Sequence, residues 1–386
     1  MEELKIALIG AGFMGKAHSM AFATMPMCYW PAPALPVRDL VIDIDKDIAE
    51  EAMLRFGFSR FGTDWKQAVT DPSIDIIDIA TPNDMHLEIA IEAFKNGKHV
   101  FCEKPIARNV AEAEQMYNAA KSSGVKHMLA FNYRRTPGVL LAKEIIEKGE
   151  IGSIQSFRGT YHQDWSAAQS TPISWRFQKD ISGSGALGDL GSHVIDLARF
   201  LVSEISHVTG YSNTLIGERP IRCGGVDTIG NVQIQDRTRM ATVDVDDEVS
   251  FICKFKNGAS GSIEATRNAW GRNNFITLEI YGDKGSIYFN YENRDELQVF
   301  YADDPVNRRG FRTIYTGPAH PEGSALWPIP ALGIGYIDTK IIECHDFIQA
   351  IIENKEVSPN FKDGFEIAKI CDAVQRLEDE GSWLSI

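Results

Sequence analysis

The sequence predicts an α/β protein in two parts: an N-terminal doubly wound domain of parallel strands and helices, then a C-terminal α+β domain with an open, mainly antiparallel sheet. Three observations carry that prediction. Short apolar runs alternate with helix-period segments through the first third of the chain, the pattern of strands paired in parallel through helical crossovers. Past residue 131 this alternation stops, and residues 208–301 read as successive strands with the turn signals Lys256-Asn-Gly258 and Gly282-Asp-Lys-Gly285 between them, which are hairpin marks. A glycine cluster separates the first strand from the first helix.

Taken in order, residues 6–9 are a buried strand and 14–25 a helix. Residues 40–43, 74–79, 99–102 and 128–131 are further strands, with helices over 47–56, 87–96 and 110–122. The proline-rich stretch 26–36 reads as an insertion between the first helix and the second strand. Residues 139–147 are a helix, 154–162 a strand and 190–202 a helix; two helices, 341–353 and 365–377, close the chain. The expected domains are therefore 1–131 and 132–386.

With 386 residues the chain has room for two domains of roughly 100–200 residues each. Its composition, 44% hydrophobic and 24% charged, is that of a globular protein able to bury a core without disulfide or metal staples. A net charge of −14 disfavours nucleic acid and anionic membrane surfaces as partners, since both attract basic faces. Six cysteines (Cys28, Cys102, Cys223, Cys253, Cys344, Cys371) lie far apart with no C-x-x-C pair, which fits a reducing compartment and no metal site. The opening Met-Glu-Glu-Leu-Lys lacks a secretory pattern, and no apolar run reaches membrane-span length. The expectation is a soluble, cytoplasmic protein.

Gly10-Ala-Gly12-Phe13-Met14-Gly15 follows a strand and opens a helix. In that setting Gly10 permits a tight turn, Gly12 lets a pyrophosphate approach the backbone, and Gly15 lets helix pack on strand. The N–H groups at the helix start, near Phe13 and Met14, suit the phosphates. The first domain is thus expected to be a Rossmann dinucleotide-binding domain. Asp43, at the end of the second strand, is placed to bind ribose hydroxyls and to repel a 2′-phosphate, favouring NAD over NADP. Asp45 reads as the cap of the following helix.

Alcohol oxidation by such a cofactor needs a base near the hydroxyl, with a pKa close to the working pH. His193 meets that need, and Asp189, four residues earlier, shares its helical face and is suited to orient the imidazole. Lys104 ends a strand, where its ammonium would stabilise a developing alkoxide. Each also has a plain structural reading: a helix cap for Asp189, a core histidine for His193, a surface lysine for Lys104. Trp165, Trp175 and Arg176 stand in a polar loop ahead of the helix at 190–202, suited either to meet a ligand through an aromatic face and hydrogen bonds or to rim packing and a subunit contact. Arg134 and His162 are similar, and Trp327-Pro-Ile-Pro330 is expected to cap the pocket.

Three segments narrow this picture: Ala80-Thr81-Pro82-Asn83 with His86, Gly97-Lys-His-Val-Phe-Cys-Glu103-Lys104-Pro105, and Gly188-Asp189-Leu-Gly-Ser-His193. With the glycine motif they resemble the glucose–fructose oxidoreductase, inositol dehydrogenase and rhizopine-catabolism (Gfo/Idh/MocA) family, over most of the chain. The resemblance implies that Lys104, Asp189 and His193 are catalytic. It implies that Thr81, Pro82, Asn83, His86, Glu103, Lys104, Arg134 and Arg176 join Gly10, Gly12, Phe13, Met14, Gly15 and Asp43 around the cofactor. Tyr133, His162, Trp165 and Trp175, with Lys104, Asp189 and His193, are expected to meet the substrate.

The implied activity is NAD-dependent oxidation of a secondary hydroxyl on a small, neutral, polyhydroxylated ring. Levoglucosan oxidised at C3 is the leading candidate, implied by the resemblance of Gly15-Lys-Ala-His18, Phe131-Asn-Tyr-Arg-Arg-Thr-Pro137, Gln163-Asp-Trp165, Ser174-Trp-Arg-Phe-Gln-Lys179 and Tyr315-Thr-Gly-Pro-Ala-His-Pro321 to segments of a family member that acts on that sugar. An inositol is the rival substrate. A non-catalytic NAD-binding regulator is the rival class, and the joint presence of Lys104, Asp189 and His193 argues against it. A homodimer or homotetramer is expected.

Overall fold

The apolar runs of the first third assemble into a parallel sheet whose strands are buried on both faces. The structure, a computed structural model, describes residues 1–221, 239–330 and 332–386. Strands β1 (Glu3–Ile9), β2 (Leu35–Ile42), β3 (Arg60–Gly62), β4 (Ile76–Ile79), β5 (His99–Cys102) and β6 (His127–Leu129) lie in the order β3-β2-β1-β4-β5-β6. Every pair is parallel. Ile6, Leu8, Ile76, Ile77, Val100 and Phe101 are buried, because crossover helices cover both faces of such a sheet and select continuous apolar strands. Strand order reverses between β1 and β4, and the carboxyl ends there form the crevice in which ligands of doubly wound sheets bind.

Within residues 1–131, β3 and the helix Trp65–Thr70 escaped the sequence reading; both are too short to show a period. The insertion expected at 26–36 is also corrected. Pro26 lies inside the first helix, Phe13–Cys28, and β2 already begins at Leu35. A proline in the last turn removes a single intrahelical bond. Pro36 pairs with β1, while β3 pairs only with residues 40–42, so its missing N–H falls on an open edge.

In the second part, nine strands among the described residues form one sheet: β7 (Ile154–His162), β8 (Ile205–Asn213), β11 (Glu248–Phe255), β12 (Ser260–Thr266), β13 (Phe275–Gly282), β14 (Gly285–Asn290), β15 (Glu296–Tyr301), β16 (Arg312–Tyr315) and β17 (Leu384–Ser385). Their order is β16-β15-β14-β13-β7-β12-β11-β8-β17, with β9 (Glu218–Pro220) and β10 (Met240–Thr242) forming a separate ribbon. Pairing is antiparallel except between β7 and β12. Both expected hairpins form, at 256–258 between β11 and β12 and at 282–285 between β13 and β14. Along β7, Phe157, Gly159 and Tyr161 are buried while Ser156, Arg158, Thr160 and His162 are half-buried or exposed, the period-2 signature of a sheet packed on one face.

The chain divides into two compact units, Met1–Asn132 with Gly335–Ala368 and Tyr133–Ile334 with Lys369–Ile386. The single division expected near residue 131 is thus incomplete, because residues 335–368 return to the first unit. The helix Tyr336–Ile352 buries Ile341, Ile342, Cys344 and Phe347. Phe347 stacks on Phe101 with centroids 5.6 Å apart, and His345 on Tyr29 at 3.7 Å. Asn132 Nδ2 donates to Thr339 Oγ1 at 2.8 Å. Cys28, Cys102, Cys253, Cys344 and Cys371 are free thiols; Cys223 lies outside the described residues. Among those residues no helix is long and apolar enough to cross a membrane.

Candidate active site

In the first unit the glycine loop leaves β1 for the helix Phe13–Cys28. Gly10 has φ +99°, and a Cβ there would sit 2.5 Å from the Ala80 carbonyl oxygen. A Cβ on Gly15 would lie 2.1 Å from the Gly10 carbonyl oxygen, so that position is glycine for helix-to-strand packing. Gly12 differs: its Cβ would meet nothing within 4 Å. The protein's own packing therefore gives no reason for glycine at position 12, whereas a ligand approaching the backbone does. Gly12 also begins the helix with no side-chain cap and no acid in the first turn, leaving the N–H groups at Phe13 and Met14 suited to an anion. These features fit a dinucleotide pyrophosphate.

Asp43 follows β2 and braces the loop: its Oδ2 accepts from the Ala11 amide at 3.0 Å and its Oδ1 from the Asp45 amide at 3.1 Å. Asp45 caps the next helix, accepting from the Asp47 and Ile48 amides. Thr81, Pro82 and Asn83 follow β4, and Glu103 and Lys104 follow β5, so both segments stand at the carboxyl rim beside the glycine loop. Lys104 is half-buried.

Two expected cofactor contacts in this unit have other work. His86 is fully buried, its Nε2 3.1 Å from the Thr81 carbonyl oxygen and its Nδ1 3.1 Å from that of Pro105. It braces two rim segments from beneath, and burial lowers its pKa. Glu103 is 5% exposed, and its oxygens accept from Lys340 Nζ at 3.0 Å and from the Lys104 amide at 3.1 Å. His18 Nε2 adds a third contact at 2.9 Å. Lys340 and His18 together outweigh the effect of burial and hold Glu103 below the usual carboxylate range.

In the second unit, Asp189 lies on a π-helical turn, Leu187–Gly191, that runs into the helix Ser192–Leu201. The i to i+4 spacing still sets Asp189 and His193 on nearly one face. Asp189 is not the cap here. Asp246 takes that role from a remote loop, accepting from the Gly185 and Leu187 amides at 2.7 Å each. Buried Arg267 lies within electrostatic reach of Asp189.

His193 is 5% exposed and meets Tyr133 edge-on with centroids 4.7 Å apart; Tyr161 lies 5.9 Å away. The Tyr133 and Tyr161 hydroxyls are 2.9 Å apart, and Tyr161 donates to Asn274 Oδ1 at 2.6 Å. Asn274 Nδ2 donates to the Tyr133 hydroxyl, and Gln163 Nε2 to that of Tyr161, at 3.1 Å each. A patch of neutral hydroxyl and amide groups thus adjoins the imidazole, chemistry that matches an uncharged polyol. Tyr161 and Asn274 were not anticipated. The alternation along β7 was the available signal for Tyr161; Asn274 has none.

His162 is a correction. It follows Tyr161 on β7 and so points to the opposite face, beside Glu264 at 3.9 Å and Phe275, away from His193. Arg134 is another: it is 4% exposed and makes a two-pronged ion pair with buried Asp196, at 2.6 and 2.5 Å. Such a pair fills the guanidinium fork with a carboxylate rather than offering it to a cofactor.

Trp165 packs on Phe177, centroids 5.5 Å apart, and Trp175 carries the Arg176 guanidinium at 4.3 Å. The loop bearing them is held by two buried arginines. Arg219 donates to the Ser166 and Ala168 carbonyls at 2.8 and 3.1 Å, and Arg267 to that of Arg176 at 3.1 Å. Trp327 and Pro330 line a cavity of about 470 Å³ with residues 292–296, and its walls include none of Tyr133, Asp189 and His193.

Comparison with known proteins adds independent findings. Residues 4–131 match an oxidoreductase family with an NAD-binding Rossmann fold, and residues 139–288 match the GFO/IDH/MocA C-terminal domain. Levoglucosan dehydrogenase of Pseudarthrobacter phenanthrenivorans is 58% identical over 386 residues, covering 100% of this chain and 99% of that protein. The solved structure of a levoglucosan dehydrogenase in complex with NADH and levoglucosan is similar with a TM-score of 0.94 and 57% identity, over 100% of both chains. The NAD(+)-dependent scyllo-inositol 2-dehydrogenase of Bacillus subtilis is 28% identical over 304 residues, 78% of each chain.

Proposed function

The chain belongs to the GFO/IDH/MocA oxidoreductase family, and on that premise we propose that it oxidises levoglucosan at C3. It is an NAD-dependent sugar dehydrogenase acting on a CH–OH group. The single observation that carries the choice of sugar is a full-length likeness of 58% to a levoglucosan dehydrogenase, against 28% over part of the chain to an inositol enzyme. The neutral hydroxyl and amide patch of Tyr133, Tyr161, Gln163 and Asn274 beside His193 supports an uncharged polyol.

Bound NAD supplies the hydride acceptor. The glycine loop and the first-helix N–H groups would hold its pyrophosphate, and Asp43 would accept hydrogen bonds from a ribose hydroxyl while repelling a 2′-phosphate. His193 takes the proton of the substrate hydroxyl as the hydride leaves the same carbon. Asp189 fixes the imidazole and favours the imidazolium once formed. The Lys104 ammonium stabilises the negative charge developing on the oxygen. Separated free thiols support a cytoplasmic setting, and the open face of the nine-stranded sheet supports pairing into a homodimer or homotetramer.

The test is a set of kcat/KM values, followed by NADH absorbance, for levoglucosan, glucose, 1,5-anhydroglucitol and myo- and scyllo-inositol, because specificity is a ratio of those constants. Levoglucosan should lead. Faster use of either inositol sinks the choice of sugar and leaves the family intact.

A further inference from the structure

We propose that His18 is a positioning residue for Lys104: as an imidazolium it clamps Asp78 to Glu103, and Glu103 holds the main chain that carries the reactive ammonium. The inference rests on the reading that Lys104 takes part in the reaction.

His18 stands on the first helix, fully buried and tilted against Phe101. Its Nδ1 lies 2.8 Å from Asp78 Oδ1 and its Nε2 2.9 Å from Glu103 Oε1. A neutral imidazole has one N–H and one lone pair, so it would turn a lone pair toward one carboxylate; only the charged ring donates to both. Glu103 Oε1 also accepts from Lys340 Nζ at 3.0 Å, and its Oε2 from the Lys104 amide at 3.1 Å. Lys340 in turn pairs with Glu343 at 3.2 Å.

The charges around His18 support the same assignment. Asp78 on β4, Glu103 after β5 and Glu343 on the helix Tyr336–Ile352 are three buried acids. Lys340 and His18 supply two cations, and Lys104 adjoins them as a third. The thiols of Cys102 and Cys344, pushed well up by burial, add no charge. Loss of the His18 proton would leave an uncompensated anion among buried side chains, which is costly. Burial opposes the imidazolium, but Asp78 and the hydrogen bonds that the ring donates to both carboxylates prevail and raise its pKa to about 9.

The folded value therefore exceeds the unfolded one, so the stability that the clamp adds is whole below about pH 6.5 and is lost as pH rises from there through about 9. Its mechanical effect is to tie the end of β5 to β4, the first helix and the helix Tyr336–Ile352. A shift of the Lys104 main chain would move the ammonium without touching the glycine loop.

The experiment is His18→Gln, which keeps polarity without charge, made alone and in a Lys104→Ala background. The expected result is a fall in kcat for levoglucosan of about 10-fold or more, with KM and the NADH dissociation constant within about twofold. With Lys104→Ala, His18→Gln should add under about twofold, since both act on one group. Wild-type thermal stability should fall relative to His18→Gln as pH rises from about 6.5 to about 9, a readout that needs no turnover. An equal loss in both backgrounds, kcat within twofold of wild type, or a pH-independent stability difference overturns the proposal. If His18→Gln does not fold, Lys340→Met, which removes the other cation from Glu103, carries the same expectations for kcat, KM and NADH affinity in both backgrounds. Nitrogen NMR of the wild type then reads the ring itself, and a neutral His18 at about pH 8 overturns the clamp. Normal turnover by Lys104→Ala would instead remove the underlying reading, whatever His18 does.

Discussion

The loop after β1 takes its glycines from six consecutive positions, 10–15, whereas the patch around His193 draws on residues 133, 161, 163, 193 and 274. In the loop, local sterics decide the geometry: Gly10 must turn under Ala80, and Gly15 must sit on Gly10. In the patch, sheet register decides it. Tyr161 faces the imidazole because β7 runs between β12 and β13 with Phe157, Gly159 and Tyr161 on the packed face. One step along that strand reverses the side chain, which is why His162 is on the wrong side. A site made of neighbours in sequence tolerates reading without a fold; a site made across strands does not.

The largest expected effect tests whether each region holds a reacting group. Lys104→Ala, at the rim of the first unit, and His193→Ala, in the patch of the second, should each lower kcat by about 100-fold or more. Thermal stability and NADH affinity should stay near wild type. Turnover close to normal in either variant would strip that region of its chemistry and leave it a binding surface.

The glycine loop can be split into fold and ligand contributions. Gly10→Ala forces a side chain to φ +99° against the Ala80 carbonyl, so it should destabilise by roughly 1–3 kcal/mol or more. Gly12→Ala meets nothing and should leave the melting temperature alone while weakening NADH binding by about 10-fold. Asp43→Ala should weaken NAD binding and erase its preference over NADP. Calorimetry decides; unchanged NADH affinity in Gly12→Ala would mean that no ligand approaches there, and unchanged NAD and NADP affinities in Asp43→Ala would clear it of the ribose.

The smallest effect sharpens the register argument. Tyr161→Phe deletes one hydroxyl from the patch and should raise KM for levoglucosan by roughly 2–10-fold, while His162→Ala, on the opposite face, should change it by less than about twofold. A reversal of that ranking would place the substrate on the other side of β7.

What the order of amino acids determined by itself was everything encoded within about a dozen residues. The parallel strands other than β3, the hairpins at 256–258 and 282–285, the glycine loop, the Asp45 cap and the Asp189 to His193 spacing all follow from periods and local sterics. Short-range packing is enough to specify them. Tertiary structure alone decided the rest. It brought Lys340 back beside Glu103 and His18, a partnership separated by 237 residues. It gave Arg134 to Asp196 and the cap of the Asp189 turn to Asp246. The isolated acid in Ile76-Ile-Asp78-Ile79 did hint at a buried partner, since a lone carboxylate inside a strand must find a compensating charge. It could not say which one. Buried charges are satisfied by whatever donor the fold delivers, and that choice depends on distances through space that sequence spacing does not carry.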